Sequence, residues 1–198
     1  MELYPDTYYH IFNRSNNKEV VFKTKDNYRF FLGKFYHYFG KRFQTICYCL
    51  MPTHFHFLAY VNPLGEEDEA GWEEEIDMMK RDFGILLSSH TKAINKRYGR
   101  HGSLFQSHTK TRPVTSESHL AALVDYIHQN PVRARLVRRL EDWEFSSYRD
   151  YLGLRTDRFL FKEVVLSNFK SIEEFRIHSN QILESLSDAD GSWRGPLG

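Results

Sequence analysis

The sequence predicts an α+β fold: a ferredoxin-like split β-α-β domain, its antiparallel sheet carrying helices on one face, with a helical C-terminal extension. Three observations predict it. Strand-like and helix-like runs follow one another in the order β-α-β-β-α-β, a further helix follows the last strand, and the 198 residues, 41% hydrophobic, suffice for one well-cored domain.

The elements are justified in chain order. Tyr8–Arg14 (YYHIFNR) is aromatic-rich and strand-like, and the polar stretch Ser15-Asn16-Asn17-Lys18 turns the chain after it. Lys25–Tyr38 reads as a helix because Tyr28, Phe31, Phe35 and Tyr38 recur every three or four residues, with Gly40 placed to end it. Phe43–Met51 and His54–Val61 are apolar runs on either side of Pro52, hence a hairpin, which Asn62-Pro63-Leu64-Gly65 closes. The acidic run Glu66–Glu75 reads as a solvated loop or an exposed helix start. Ile76–Tyr98 fits a long helix through Met79, Phe83, Leu86, Leu87, His90 and Ile94, stopped by Gly99. Leu104–Val114 reads as a strand whose Pro113 places it at an edge or end. Thr115-Ser116-Glu117 opens a helix to about Asn130, which Pro131 terminates, and short helices through Leu186 pack on the body. The expected organisation is a core domain over residues 1–140, a helical extension over 141–187 and a flexible tail over 188–198.

The net charge of +1 conceals a division along the chain. Residues 90–140 hold ten basic and two acidic side chains, interleaved with Tyr98, Phe105 and Tyr126. A polyanion feels that local field within a Debye length of about 10 Å, and cations mixed with aromatics suit single-stranded nucleic acid. A solvated helix face accounts for the same charges. Two cysteines exclude a disulfide-rich scaffold and favour a reducing compartment. No apolar run approaches the ~18 residues of a membrane span, and the N-terminus lacks a signal-peptide pattern. A cytoplasmic protein is expected.

His54-Phe55-His56 lies on the second hairpin strand. Side chains alternate along a strand, so the two imidazoles share one face while Phe55, Phe57, Ala59 and Val61 line the other. Two such imidazoles can bind one divalent metal, or can be ordinary half-buried histidines. Cys47 and Cys49 add a further possibility. With a two-residue turn at 51–52, Cys49 faces His54 and Cys47 faces His56, and all four could form a tetrahedral zinc site.

Tyr126 and Asn130 are four residues apart on the third helix and project from the same side. A phenol can attack phosphorus, and with a free pKa near 10 it needs activation or a metal at the phosphate. Asn130 supplies a neutral amide oxygen one turn away. An amphipathic packing tyrosine is the competing reading of Tyr126.

Taken together, these segments resemble the single-tyrosine HUH transposases (IS200-like). Tyr48-Cys49-Leu50-Met51-Pro52-Thr53-His54-Phe55-His56 is similar to the M-P-N-H-hydrophobic-H segment of that family. Gly102-Ser103-Leu104-Phe105-Gln106 with Lys110 resembles its G-x-L-F-Q…K segment, and Tyr126-Ile127-His128-Gln129-Asn130-Pro131-Val132 resembles its Y-I-x-x-N-P-V helix. Tyr9–Arg14 matches the opening strand, and Trp143, Ser146, Ser147 and Tyr148 match the W-x-x-S-S-Y element. Asn130 and the C-terminal extension point to the REP-associated tyrosine transposase branch. Thr53 departs from the usual asparagine, which bears on the turn more than on the metal. Related transposases often carry glutamine where Asn130 stands, so Asn130 and Gln129 are both open as the third ligand.

The resemblance implies a metal-dependent single-stranded DNA endonuclease and strand-transferase. Tyr126 would be the nucleophile that forms a 5′-phosphotyrosine, with His54, His56 and Asn130 holding Mg²⁺ or Mn²⁺. Arg14, Lys110, Arg112 and Arg133 are the candidates for DNA contact. The implied partner is single-stranded hairpin DNA of REP-like palindromes, handled at the nucleoid by a monomer, as expected for the REP-associated branch, or by a homodimer like those of related transposases. His128 is expected to point away from the site, Phe105 to belong to the core, and Trp143 and Tyr148 to pack the extension. Two other classes fit parts of the pattern: a non-catalytic single-stranded nucleic-acid-binding module, and a structural zinc protein using Cys47, Cys49, His54 and His56.

Overall fold

The computed structural model describes residues 2–63 and 71–188. Residues 66–70 of the expected acidic run and the tail beyond Asp188 lie outside the described residues. The elements are β1 (Thr7–Arg14), α1 (Lys25–Phe39), β2 (Phe43–Met51), β3 (His54–Val61), α2 (Trp72–Tyr98), β4 (Lys110–Val114), α3 (Glu117–Arg133), α4 (Tyr148–Tyr151), α5 (Glu163–Leu166) and α6 (Ile172–Asp188). The four strands form one antiparallel sheet in the order β2-β3-β1-β4, with β1 and β3 central. This is the strand order of the split β-α-β domain, in which β1 enters between the later hairpin and β4.

Strand alternation sorts the side chains into two layers. Tyr9, Ile11, Phe55, Phe57, Ala59 and Val61 face α1 and α2 and share a buried cluster with Phe31, Phe35, Phe39, Met79, Phe83 and Leu86. The rings of Phe35 and Phe57 stack with centroids 3.7 Å apart, tying α1 to the centre of the sheet. The opposite face is partly covered as well. Cys47, Cys49, Met51 and Leu58 meet Leu123, Val124 and Ile127 of α3, backed by Tyr148, Tyr151 and Phe175 from the extension. The histidine-bearing face is therefore closed along its β2 side and open toward β1 and β4.

The extension also protects the β2 edge, whose free backbone groups would otherwise template another chain. Leu50 N–H donates to the Phe145 carbonyl at 3.0 Å, Ser147 N–H to Tyr48 at 3.0 Å and Phe161 N–H to Thr45 at 2.8 Å. Trp143 Nε1 donates to the Leu50 carbonyl at 3.0 Å, and Tyr148 is fully buried, so both pack the extension onto the core.

Four boundaries differ from the sequence reading. β4 begins at Lys110 rather than Leu104, because the preceding backbone bonds to the end of β1: Gln106 N–H donates to Arg14 at 3.0 Å, and the Leu104 carbonyl accepts from Asn16 at 2.8 Å. Helix α2 starts earlier, at Trp72, with Glu73, Glu74 and Glu75 in the first turn, where the helix dipole favours carboxylates. Helix α3 runs through Pro131 to Arg133, since a proline so near the end forfeits only one late hydrogen bond. The last helix is a single one of 17 residues rather than several short ones.

His128 projects from α3 away from the tyrosine side, fully buried, its Nε2 donating at 2.9 Å to Ser147 Oγ. That hydroxyl in turn accepts from Tyr48 N–H and donates to the Tyr48 carbonyl, joining α3 to β2 and the extension. Burial lowers the His128 pKa to about 3, so it is neutral in the fold. The unfolded chain therefore binds the extra proton first, at about pH 6.5, and stability falls as pH drops below that value toward about 3. This one imidazole is expected to cost about 2 kcal/mol between pH 6.5 and 5. Urea unfolding at the two pH values checks it: His128→Gln should flatten the dependence, and an unchanged slope would show that other groups dominate.

Candidate active site

The site is built on the even-numbered face of β1 and β3. In their antiparallel register His10 lies opposite Leu58, Phe12 opposite His56 and Arg14 opposite His54. Alternation then brings His10, Phe12, Arg14, His54 and His56 to one surface. The His54 and His56 rings lie 5.0 Å apart between centroids, near perpendicular. His10 stacks on His56 at 5.1 Å, with 2.9 Å between His10 Nε2 and His56 Nδ1.

Helix α3 crosses this face and brings Tyr126 over it. The phenol ring stands edge-on, 5.5 Å from the His56 ring and 6.2 Å from that of His10. Asn130, one turn on, donates from Nδ2 to the Tyr126 carbonyl at 2.7 Å. Its side chain lies close enough to the His54 imidazole and the Tyr126 hydroxyl to bear on the protonation of both. Gln129 points elsewhere: buried, it donates to the Ser179 carbonyl at 3.3 Å and accepts from Arg133 Nη2 at 2.8 Å. Of the two amides left open by the sequence, Asn130 is the one beside the histidines.

Tyr126, His54 and His56 line a cavity of about 400 Å³ together with Phe12, Asn13, Arg14, Ser15, Lys18, Thr53, Gln106, His108 and Lys110. Among the described residues three cations and no carboxylate line it, a composition suited to a phosphate. Lys110 and Arg112 flank the Phe12 ring at 6.0 and 5.9 Å. Arg14 and Lys110 thus enter the cavity, Arg112 stands beside it on β4, and Arg133 is held against Gln129 at the end of α3. Arg100, on the far side of the basic block, pairs with Glu19 at 2.8 Å, and Phe105 belongs to the core.

Burial sets the protonation. It lowers the His54 pKa to about 4, opposed by the bond with Asn130 and aided by Arg14. It lowers that of His10 to about 3, aided by Arg112 and His119, and that of His56 well below the usual imidazole value, aided by His10 and His54. All three rings are neutral at pH 7, the state in which imidazole ligates metal. The Tyr126 pKa is raised by burial, against the bond from Asn130 and the charge of Arg133, so the phenol keeps its proton in the free protein.

The donor set fits a divalent cation. His56 Nε2 is buried with no hydrogen-bond partner, a lone pair or proton left unanswered beside a second imidazole and a side-chain amide. The four-ligand zinc arrangement does not form. The turn is Pro52-Thr53, so Met51 faces His54, Cys49 faces His56 and Cys47 faces Leu58. Both thiols are fully buried in the α3-facing core, with burial pushing their pKa up, and no group of three or more His, Cys, Asp and Glu able to hold a metal occurs among the described residues.

His10, Lys18, Gln106 and His108 had no assigned role in the sequence. His10 was legible in principle, since it sits two residues before Phe12 on the same face as Arg14. Lys18 and His108 come from turns, and nothing in their spacing forecasts where those turns fold back.

The split β-α-β sheet thus offers the His-x-His pair of its central strand β3 to a tyrosine on α3. No family model matches the chain. Over 109 residues it is 28% identical to a Haemophilus influenzae protein named as a REP-associated tyrosine transposase, a match covering 54% of this chain and 59% of that one. The chain thus spans about three-fifths of that relative's length. In structure it resembles a REP-associated tyrosine transposase solved bound to a REP hairpin, with a TM-score of 0.53 and 19% identity over 79% of this chain and 89% of that one. At that identity the likeness establishes the fold. Both comparisons thus place the chain's likeness with REP-associated tyrosine transposases. No helix among the described residues is long and apolar enough to cross a membrane.

Proposed function

We propose that this protein is a metal-dependent endonuclease and strand-transferase that acts on single-stranded DNA beside a hairpin and passes through a 5′-phosphotyrosine. The observation that carries the proposal is the convergence of Tyr126, His54 and His56 on one cation-lined cavity, with Asn130 one helical turn from Tyr126. The names of the relative and the structural neighbour support transposition and a hairpin substrate.

Arg14, Lys18 and Lys110 draw the backbone phosphate into the cavity and offset its charge. His54, His56 and Asn130 would hold Mg²⁺ or Mn²⁺, which supplies Lewis-acid polarisation of the phosphate when bound. With two imidazoles in the set, Mn²⁺ is the better fit. Tyr126 Oη loses its proton and attacks phosphorus, the P–O bond to the 3′ oxygen breaks, and that oxygen takes up a proton and departs as a 3′-hydroxyl, while the downstream strand stays on the phenol through its 5′ phosphate. Asn130 holds the hydroxyl in place from one helical turn away, and Arg133 adds positive charge near the forming phenolate. The phosphodiester is exchanged rather than hydrolysed, so a second 3′-hydroxyl can reverse the step and join strands.

A fluorescent hairpin oligonucleotide with Mn²⁺ tests this. A denaturation-resistant protein–DNA adduct is expected, carrying the fragment 3′ of the cut through its 5′ phosphate, with the upstream fragment released. Salt-sensitive binding with no metal-dependent adduct would instead mark a non-catalytic nucleic-acid-binding module. The amides make a second test. Asn130→Ala is expected to slow adduct formation about 10- to 100-fold. Gln129→Ala should instead cost about 1–3 kcal/mol of stability by stranding buried polar groups, with the rate within a few-fold of wild type. The reverse pattern would assign the third ligand to Gln129.

A further inference from the structure

His10 stands behind the proposed metal site rather than in it. It is 2% exposed, on the central strand β1, and its Nε2 lies 2.9 Å from Nδ1 of His56. Two imidazoles in such a contact share one hydrogen, and there are two ways to place it. If His10 donates, His56 must carry its own proton on Nε2, where that buried N–H finds no acceptor. If His56 donates from Nδ1, its Nε2 presents a lone pair instead, and only the second arrangement leaves that atom able to ligate.

We infer that His10 is a positioning residue which accepts the Nδ1 proton of His56 and so holds that ring in the tautomer whose Nε2 lone pair is offered to a divalent cation. This deepens, and in its consequence for metal binding rests on, the function proposed above. The sheet supplies the rigidity. His10 is clasped between β3 and β4 in register, and its ring is stacked on Phe12 at 4.6 Å, so neither imidazole turns freely. The same device recurs at the other histidine, whose Nδ1 meets the Thr53 hydroxyl at 3.0 Å. Thr53 therefore does more than shape the turn. Outer partners of this kind set ligand orientation and basicity, and losing one typically weakens metal binding about 10- to 100-fold.

The experiment has two arms. In the metal-free protein, ¹⁵N NMR of the histidine rings reads which nitrogen of His56 bears the proton. Protonation at Nδ1 in wild type is expected, and protonation at Nε2 overturns the inference whether or not the protein binds metal. In the second arm, Mn²⁺ binding is followed by electron paramagnetic resonance. His10→Phe, which keeps the ring volume and removes the acceptor, is expected to weaken binding about 10- to 100-fold, while His10→Gln, which restores an acceptor, stays within about 3-fold of wild type. Binding unchanged in His10→Phe, or lost equally in both variants while circular dichroism shows both folded, overturns it. Wild type that binds no Mn²⁺ despite an Nδ1-protonated His56 would sink the metal reading and leave the tautomer assignment standing.

Discussion

Tyr126→Phe is expected to abolish the protein–DNA adduct while leaving hairpin binding within about two-fold of wild type. The substitution removes one oxygen from a half-buried ring that stands edge-on to His56 and His10, and the phenylalanine ring keeps those contacts. The other hydroxyls lining the cavity are those of Ser15 and Thr53, and the Thr53 hydroxyl is engaged with His54 Nδ1 at 3.0 Å. Loss of a nucleophile from a site whose other parts remain commonly costs four or more orders of magnitude in rate. An adduct gel with both proteins at equal hairpin occupancy measures the effect. An adduct that persists in Tyr126→Phe would assign the nucleophile to another residue.

The second large effect is expected from His56→Ala, at least about 100-fold in Mn²⁺ affinity and in the rate of adduct formation. Outer-shell partners alone reach that figure, so removal of a direct ligand sets it as the floor. His54→Ala should act in the same direction. His54 is the more exposed of the two, so it makes the cleaner comparison where the buried His56→Ala variant loses stability. Calorimetric titration with Mn²⁺ beside a thermal melt separates the two effects. Unaltered Mn²⁺ affinity in both variants, with the fold intact, would remove the histidine pair from the mechanism.

How much of this was written in the sequence depends on the kind of contact. The strands β2 and β3 and the face shared by His54 and His56 were legible because strand alternation has a period of two and Phe55 and Phe57 mark the opposite side. The one-turn spacing of Tyr126 and Asn130 was legible for the same reason, from helical geometry. The choice between Asn130 and Gln129 was not, since it depends on where α6 places the Ser179 carbonyl, fifty residues downstream. The cysteine register failed by one turn residue: Pro52-Thr53 rather than residues 51–52 makes the bend, and that shift exchanges every cross-strand partner. His10 escaped notice because its partner lies 46 residues away, and strand pairing order cannot be read from periodicity.

The central assertion is that one cation sits among His54, His56 and Asn130, within reach of Tyr126. Crystals soaked in Mn²⁺ and measured on both sides of the manganese absorption edge test it without reference to activity. Expected is a single strong anomalous peak touching both imidazoles and the Asn130 amide. A peak held by other residues, or none in crystals whose Mn²⁺ concentration exceeds that supporting adduct formation, would contradict it.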